Sequence, residues 1–369
     1  MTTHDDSRRG RGGARSLAEL QALSQMNRSP AALRLESTDP VKLPSVAAPS
    51  LDGLSVVQAG PVAPLTEQDL VERFQALRRQ HSDFRPRAAG EEVALEDDAL
   101  LDVVGFVNDR VMPFSSREDW WARVAPDPLL PGFFEALVGV PVGRILRVEL
   151  ILPDTYVAEA LRGQVARFVV EVKAARELTP LDEDSPRLLS RMGGGSLTDI
   201  MRGLAEDVAR ERAAEVERRT QERVMDVLVE RTSVELPVSL VDEELRRLWA
   251  ETERPVLLHK GFSPEGLQEA LEGWLRDPLT RADVEYRLTL DLALRAIAER
   301  DGIQPDRAST EAMLEDLLKV TGVSRQDMGR AVKEDPALDR RLYDMAQRLR
   351  TLEHVMKHVT LRPPDGAAT

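Results

Sequence analysis

The chain has no cysteine, only 15 aromatic residues in 369, five histidines, and no 18-residue run of apolar side chains. Without cysteine there is no disulfide, no thiolate metal site and no cysteine nucleophile, a composition suited to a reducing compartment. Without a long apolar run there is no candidate transmembrane helix. The N-terminus, MTTHDDSRRGRGGAR, has no apolar secretion core, so the sequence predicts a soluble, cytoplasmic protein with no membrane contact. Basic residues are in deficit as well. Lys and Arg number 50 against 64 Asp and Glu, and the net charge of −14 repels phosphate, which argues against DNA as a partner.

What is present is unevenly placed. Eight of the 15 aromatics fall between Phe106 and Phe168, and the next 80 residues, through Leu248, hold none. With 42% hydrophobic residues a core can form, and the length predicts two or three domains. Residues 1–64 read as a disordered tail and Pro-rich linker, with Pro40, Pro44, Pro49, Pro61 and Pro64 among Gly, Ser and Ala. Within it, residues 16–35 carry Leu17, Leu20, Leu23 and Met26 at helical spacing. Thr66 and Asp69 have capping-box spacing and open a linker helix within 65–88, with Leu70, Phe74 and Leu77 on one face.

Residues 89–178 change period. Leu146, Val148, Leu150 and Leu152 alternate, as do Phe168, Val170 and Val172, and 130–138 reads as one short helix between Pro131 and Gly139. Strands around a single short helix predict a small α+β domain. From 179 to 362 the pattern is helical, with helices expected at 197–236, 239–253, 264–274, 278–300, 310–321, 324–333 and 336–359, then a tail over 363–369. The first has a narrow apolar stripe between dense charges and reads as a projecting arm. Met192, Met201, Met225 and Met313 would offer adaptable apolar contacts along these helices.

Several chemistries find no support. His354 and His358 stand at i,i+4, but no Glu follows His354 and no third ligand lies beside them, so they read as a solvated or packed pair. Gly193-Gly194-Gly195 precedes a helix without the Gly-Lys-Ser/Thr of a phosphate loop and reads as a hinge. No G-x-S-x-G elbow occurs. No cofactor and no metal is expected.

One block does carry chemistry. It runs Leu129-Leu130-Pro131-Gly132-Phe133-Phe134-Glu135-Ala136-Leu137-Val138-Gly139, then Val142-Gly143, Leu152-Pro153-Asp154-Thr155-Tyr156, and Leu161-Arg162-Gly163-Gln164-Val165-Ala166-Arg167-Phe168. These spacings resemble the FKBP-type prolyl isomerase domain of the bacterial trigger factor family. Downstream, Glu235-Leu236-Pro237-Val238-Ser239-Leu240-Val241-Asp242-Glu243-Glu244 resembles the start of that family's C-terminal helical module. The resemblance implies an α+β fold: a small FKBP-like antiparallel sheet domain (89–178) wrapped on a short helix, then a larger all-α domain with long arm helices (179–362).

It also implies an ATP-independent folding chaperone that binds unfolded or nascent polypeptides, with FKBP-type peptidyl-prolyl cis-trans isomerase activity. By motif position the pocket residues would be Leu130, Phe133, Tyr156 and Phe168, with Phe114 in Met112-Pro113-Phe114-Ser115-Ser116. Tyr156 would donate to the substrate carbonyl, and either Trp120 or Trp121 would close one side. The chemistry fits a sequence without nucleophile or metal. Rotation about an X–Pro amide meets a barrier of about 20 kcal/mol, and an apolar aromatic pocket favours the twisted, less dipolar amide.

The pattern departs from the family in three places: Ser115 replaces an acidic residue, Val103 of Asp102-Val103-Val104-Gly105 replaces an aromatic one, and Gln164 replaces a lysine. These bear on turnover and leave open a dedicated adaptor whose pocket only binds. The family's ribosome-binding loop has no counterpart here, so ribosome docking is not implied, although the first 34 residues carry six Arg against three acids.

Overall fold

The computed structural model describes residues 43–60, 64–127, 130–193, 195–305, 324–334 and 336–363. The helices expected at 16–35 and 310–321, and Met313, lie outside the described residues. In chain order the elements are β1 (Ser55–Val57), α1 (Glu67–His81), β2 (Asp83–Pro86), β3 (Asp98–Val107), β4 (Arg110–Val111), β5 (Arg117–Arg123), β6 (Ile145–Ile151) and β7 (Val165–Thr179). Then come α2 (Pro186–Arg191), α3 (Leu197–Glu230), α4 (Val238–His259), α5 (Pro264–Arg276), α6 (Pro278–Asp301), α7 (Arg325–Glu334), α8 (Pro336–His358) and β8 (Thr360–Arg362). This is an α+β chain. It divides into two compact units, Ala63–Arg212 with Leu248–Asp277, and Met1–Val62 with Ala213–Arg247 and Pro278–Thr369. The division falls within α3 and α4, so the stretch 179–362 is not one separate helical body.

The first unit is built on an antiparallel sheet. Its two long strands, β3 and β7, pair from Asp98↔Arg176 to Val107↔Ala166, with a register shift after Leu100. β5 and β4 flank β3, while β6 and β2 flank β7. Alternation then sorts the side chains. Ala99, Leu101, Val103 and Val107 of β3 join Phe168, Val170 and Val172 of β7 and Val148 and Leu150 of β6 in one core. The other face of β3 is apolar too, and Val104 and Val111 are buried beneath Trp249 and Leu257 of α4 and Ala270 and Trp274 of α5.

The expected helix over 130–138 is instead a turn with one 3₁₀ segment, Glu135–Leu137. Gly132, at φ 88°, leaves the helical region, and Phe133, Phe134 and Leu137 all turn into the core, which a regular helix of that length would not allow. α4 continues past the expected end at 253, through Pro255, because Leu257 beyond it is fully buried on the sheet. α1 begins with the capping box read from Thr66 and Asp69, and its Phe74 packs with Ile200 and Leu204 of α3.

The second unit overturns the reading of its first segment as a linker. Residues 43–60 form a strap whose β1 pairs in parallel with β8, Val56 opposite Leu361. Leu51, Leu54 and Val56 are buried with Val224, Met225 and Leu228 of α3, Leu294 and Ile297 of α6, and Leu352 and Val355 of α8. Three arginines secure its backbone: Arg231 donates to the carbonyls of Ser50, Asp52 and Gly53, Arg223 to those of Val57 and Gln58, and Arg300 to that of Pro49.

Two further expectations change with the packing. α3 is buried along one side in each unit, on Phe74 and on the strap's cluster, so it does not project free of a core. Met225 is 4% exposed and presents no surface, and Met192 and Met201 are half-buried against the Phe74 cluster. From α2 onward, the exposed large apolar side chains on the described helices are instead Val238, Leu258, Leu279 and Tyr343.

Candidate functional site

Five aromatic residues of the sheet unit, Trp120, Phe133, Phe134, Tyr156 and Phe168, converge on one side of β3 and β7. Phe133 meets Phe134 edge-on at 5.1 Å between ring centroids and Phe168 edge-on at 5.2 Å, and Trp120 lies 5.8 Å from Phe134. Such edge contacts place the positive rim of one ring on the negative face of the next. Leu130, Tyr156 and Trp120, all half-buried, pack against this group, and Val103 lies in its floor. Strand alternation settles which tryptophan turns inward. Trp120 opposes Leu101 on the core side, whereas Trp121 opposes Leu100 and lies outside beneath the Arg176 guanidinium, 4.6 Å from its ring centroid.

Four of the five expected site residues, Leu130, Phe133, Tyr156 and Phe168, therefore share one cluster. Phe114 does not. Its ring is 45% exposed and sits 4.2 Å from that of Trp274, while Met112, two residues earlier, occupies the core. Phe134 and Trp120 complete the cluster. Adjacency in Phe133-Phe134 was the available signal for the first, and period-two spacing for the second.

Gly105 explains how the rings come so near the strand. It opposes Phe168 in the ladder, and a Cβ there would lie 2.8 Å from a Phe168 ring carbon and 3.0 Å from the Ser115 Cβ. Ser115, standing where the family has an acid, folds its hydroxyl over this glycine, accepting from the Gly105 amide at 3.1 Å and donating to the Met112 carbonyl at 2.7 Å. Gly105→Ala is expected to cost about 1–3 kcal/mol through overpacking, read as a shift in urea midpoint at unchanged slope.

Tyr156 stands after the Pro153 turn, its amide bonded to the Pro153 carbonyl at 2.8 Å and its carbonyl to the Arg162 guanidinium at 2.7 Å. Burial pushes its phenol above the ordinary tyrosine range, with Arg117 pulling the other way. The phenol is therefore a neutral donor at physiological pH. Gln164, in place of the family's lysine, bonds the Ala160 carbonyl and receives the Asn108 amide, tying two loops together beside the cluster.

Behind the sheet, Asp102 accepts from the Asp119 amide at 2.9 Å and pairs with Lys260 at 3.0 Å. Burial alone would raise its pKa, but the amide, Lys260 and Lys173 together hold it below the usual carboxylate value. Glu253 on α4 has no such cation in contact. It is 4% exposed, receives the Trp274 indole N–H at 2.5 Å, and burial drives its pKa up. A carboxyl whose folded pKa exceeds its unfolded value stabilises most below the unfolded value and loses that contribution as pH rises through the folded one. Glu253→Gln, which keeps an acceptor for the indole, is thus expected to raise stability by about 1 kcal/mol at pH 8 and to have no such effect near pH 4. Tryptophan-monitored urea unfolding at the two pH values checks this.

The two histidines are occupied locally, His354 by Asp301 at 3.1 Å and His358 by the His354 carbonyl at 2.8 Å. Among the described residues no helix is long and apolar enough to cross a membrane.

Residues 196–356 match a family model described as the C-terminus of the bacterial trigger factor protein. The trigger factor of Halorhodospira halophila is 31% identical over 299 residues, covering 79% of this chain and 63% of that protein. That of Halothermothrix orenii is 27% identical over 264 residues, covering 69% and 59% respectively. The chain thus spans about three fifths of the length of these curated relatives. A solved structure concerned with promiscuous substrate recognition by the trigger factor chaperone aligns with 86% of this chain and 73% of its own, at 16% identity and a TM-score of 0.35, a likeness too slight to bear on the site.

Proposed function

We propose that the chain belongs to the trigger factor family, whose C-terminal model it matches over residues 196–356, and that it is an ATP-independent folding chaperone whose aromatic cluster binds, and isomerises, prolyl segments of unfolded or nascent polypeptides in the cytoplasm. The observation that carries this reading is Tyr156. Its half-buried phenol packs against the core cluster that contains edge-packed Phe133, Phe134 and Phe168, and it has no hydrogen-bond partner among the described residues. A proline ring would rest on the half-buried side chains that edge the cluster, Leu130, Trp120 and Tyr156, and the phenol would donate to the carbonyl of the preceding residue. No bond is made or broken. The apolar walls disfavour the planar, dipolar amide relative to the twisted one, which lowers the rotational barrier.

Val103, smaller than the aromatic residue it replaces, leaves Trp120 and Phe134 as the bulk of that wall. Holding of clients would fall to exposed apolar side chains set among charges, such as Val238, Leu258, Leu279 and Tyr343. Ribosome docking forms no part of this reading.

Two assays on the full chain test it. Aggregation of a chemically denatured client should be suppressed at a few-fold molar excess, equally with and without ATP. Isomerisation of a proline tetrapeptide should exceed background and fall at least tenfold in Phe168→Leu, which keeps a core residue while removing the ring. No holding at any excess overturns the chaperone reading, and background rates in both proteins overturn the isomerase one. A single stoichiometric partner in place of many unfolded chains would favour the adaptor.

A further inference from the structure

The rim of the aromatic cluster carries one cation whose placement depends on an irregularity in the sheet. Among the described residues β5 is paired only with β3, Trp120 opposite Leu101 and Arg117 opposite Val103. Three steps along β5 therefore match two along β3. The extra residue falls at Asp119, whose φ of 51° marks a bulge, and the Asp119 carboxylate points to Lys173 on the outer face. Strict alternation would put Arg117 and Trp120 on opposite faces. The bulge returns Arg117 to the face of Val103 and Trp120, the side that holds the cluster; re-aiming a side chain in this way is a common use of bulges.

The guanidinium is then held in place by backbone. One of its nitrogens donates to the Phe114 carbonyl at 2.9 Å and the Ser116 carbonyl at 3.0 Å. The Phe114 carbonyl is itself set by a left-handed φ of 61° and by the contact of that ring with Trp274. Arg117 is exposed and makes no ion pair among the described residues. Its charge acts on the Tyr156 phenol and also on the carboxylate of Glu253, which is buried and engaged by Trp274. An arginine with a fixed stem and unused donors beside a vacant tyrosine hydroxyl matches a carboxylate.

Resting on the reading of the cluster as a prolyl pocket, we propose that Arg117 is a specificity-determining residue that selects prolyl segments bearing an acidic side chain next to the proline. The net charge of −14 opposes acidic peptides at long range, but that field is screened beyond about 8 Å at physiological salt, whereas the contact with Arg117 is local.

The test measures binding, so that it does not depend on turnover. Fluorescence anisotropy is recorded with the full chain and four labelled peptides: Ala-Glu-Pro-Phe and Ala-Leu-Pro-Glu, and the same two with Gln in place of Glu. In at least one pair the Glu peptide is expected to bind about threefold to fivefold more tightly than its Gln counterpart. That ratio should fall to one in Arg117→Gln, persist in part in Arg117→Lys, and shrink in about 0.5 M salt. Equal affinities within both pairs, or a ratio that survives Arg117→Gln, overturn the proposal while leaving the pocket reading intact. Absence of binding by all four peptides overturns both.

Discussion

Phe133→Ala is expected to lower the unfolding free energy of the sheet unit by about 3–5 kcal/mol, the largest effect of any single truncation around the cluster. The ring is 1% exposed and holds two edge contacts at once, to Phe134 and to Phe168. Its removal forfeits burial of an aromatic side chain and leaves a void that cannot close without moving strand β7. Prolyl-peptide binding should disappear together with the stability, because Phe168 and Phe134 lose the ring that orients them. Phe114→Ala is the informative contrast. That side chain is 45% exposed and leans on Trp274, so its truncation should cost no more than about 1 kcal/mol and leave the cluster packed. All four tryptophans lie within this unit, so tryptophan fluorescence in a urea titration follows its unfolding directly. Equal losses from the two substitutions would mean that Phe114 belongs to the same site after all.

That contrast also marks how far the sequence could be read. Motif positions shared with the family were enough to name Leu130, Phe133, Tyr156 and Phe168 together, and a short turn and two alternating strands leave little freedom in where those side chains point. Phe114 could not be placed the same way. It lies in a turn entered with a positive φ, and the direction of its ring depends on Trp274, 160 residues downstream. Arg117 was hidden by the same kind of event, since a single bulge at Asp119 reverses the face that period-two counting assigns.

The cover on the back of the sheet was half legible. The run Leu100–Val107 is apolar on both faces apart from Asp102, which is more than a sheet open to water on one side requires, but nothing local names α4 and α5 as what covers it. The strap failed for another reason. Composition averages over a window, and residues 43–60 look like linker on average although Leu51, Leu54 and Val56 are each buried. What ordered them was distant: three arginines and a strand partner near the far end of the chain.

Leu54→Ala should therefore behave as a core mutation, with a loss of about 2–5 kcal/mol in the unit that contains it. Leu54 is 1% exposed and packs in the same cluster as Val224, Leu228, Ile297 and Val355, while its carbonyl accepts the Thr360 amide at 2.8 Å. Shortening the side chain weakens the one anchor placed between the Arg231 clasp at Ser50–Gly53 and the ladder with β8. Arg231 then holds carbonyls that are free to leave, and each such exposed hydrogen bond contributes only about 1 kcal/mol net. The strap should consequently open before the helices unfold. Limited proteolysis within 43–60 is expected to quicken by more than tenfold at urea concentrations that leave the circular dichroism of the helices unchanged. A true linker predicts the opposite on both counts: rapid cleavage in the unsubstituted protein, and a change within about 0.5 kcal/mol on substitution, as for an exposed site. The two readings thus differ in the unsubstituted chain as well as in the variant, and slow native cleavage accelerated by a single lost isobutyl group is an outcome only a packed strap produces.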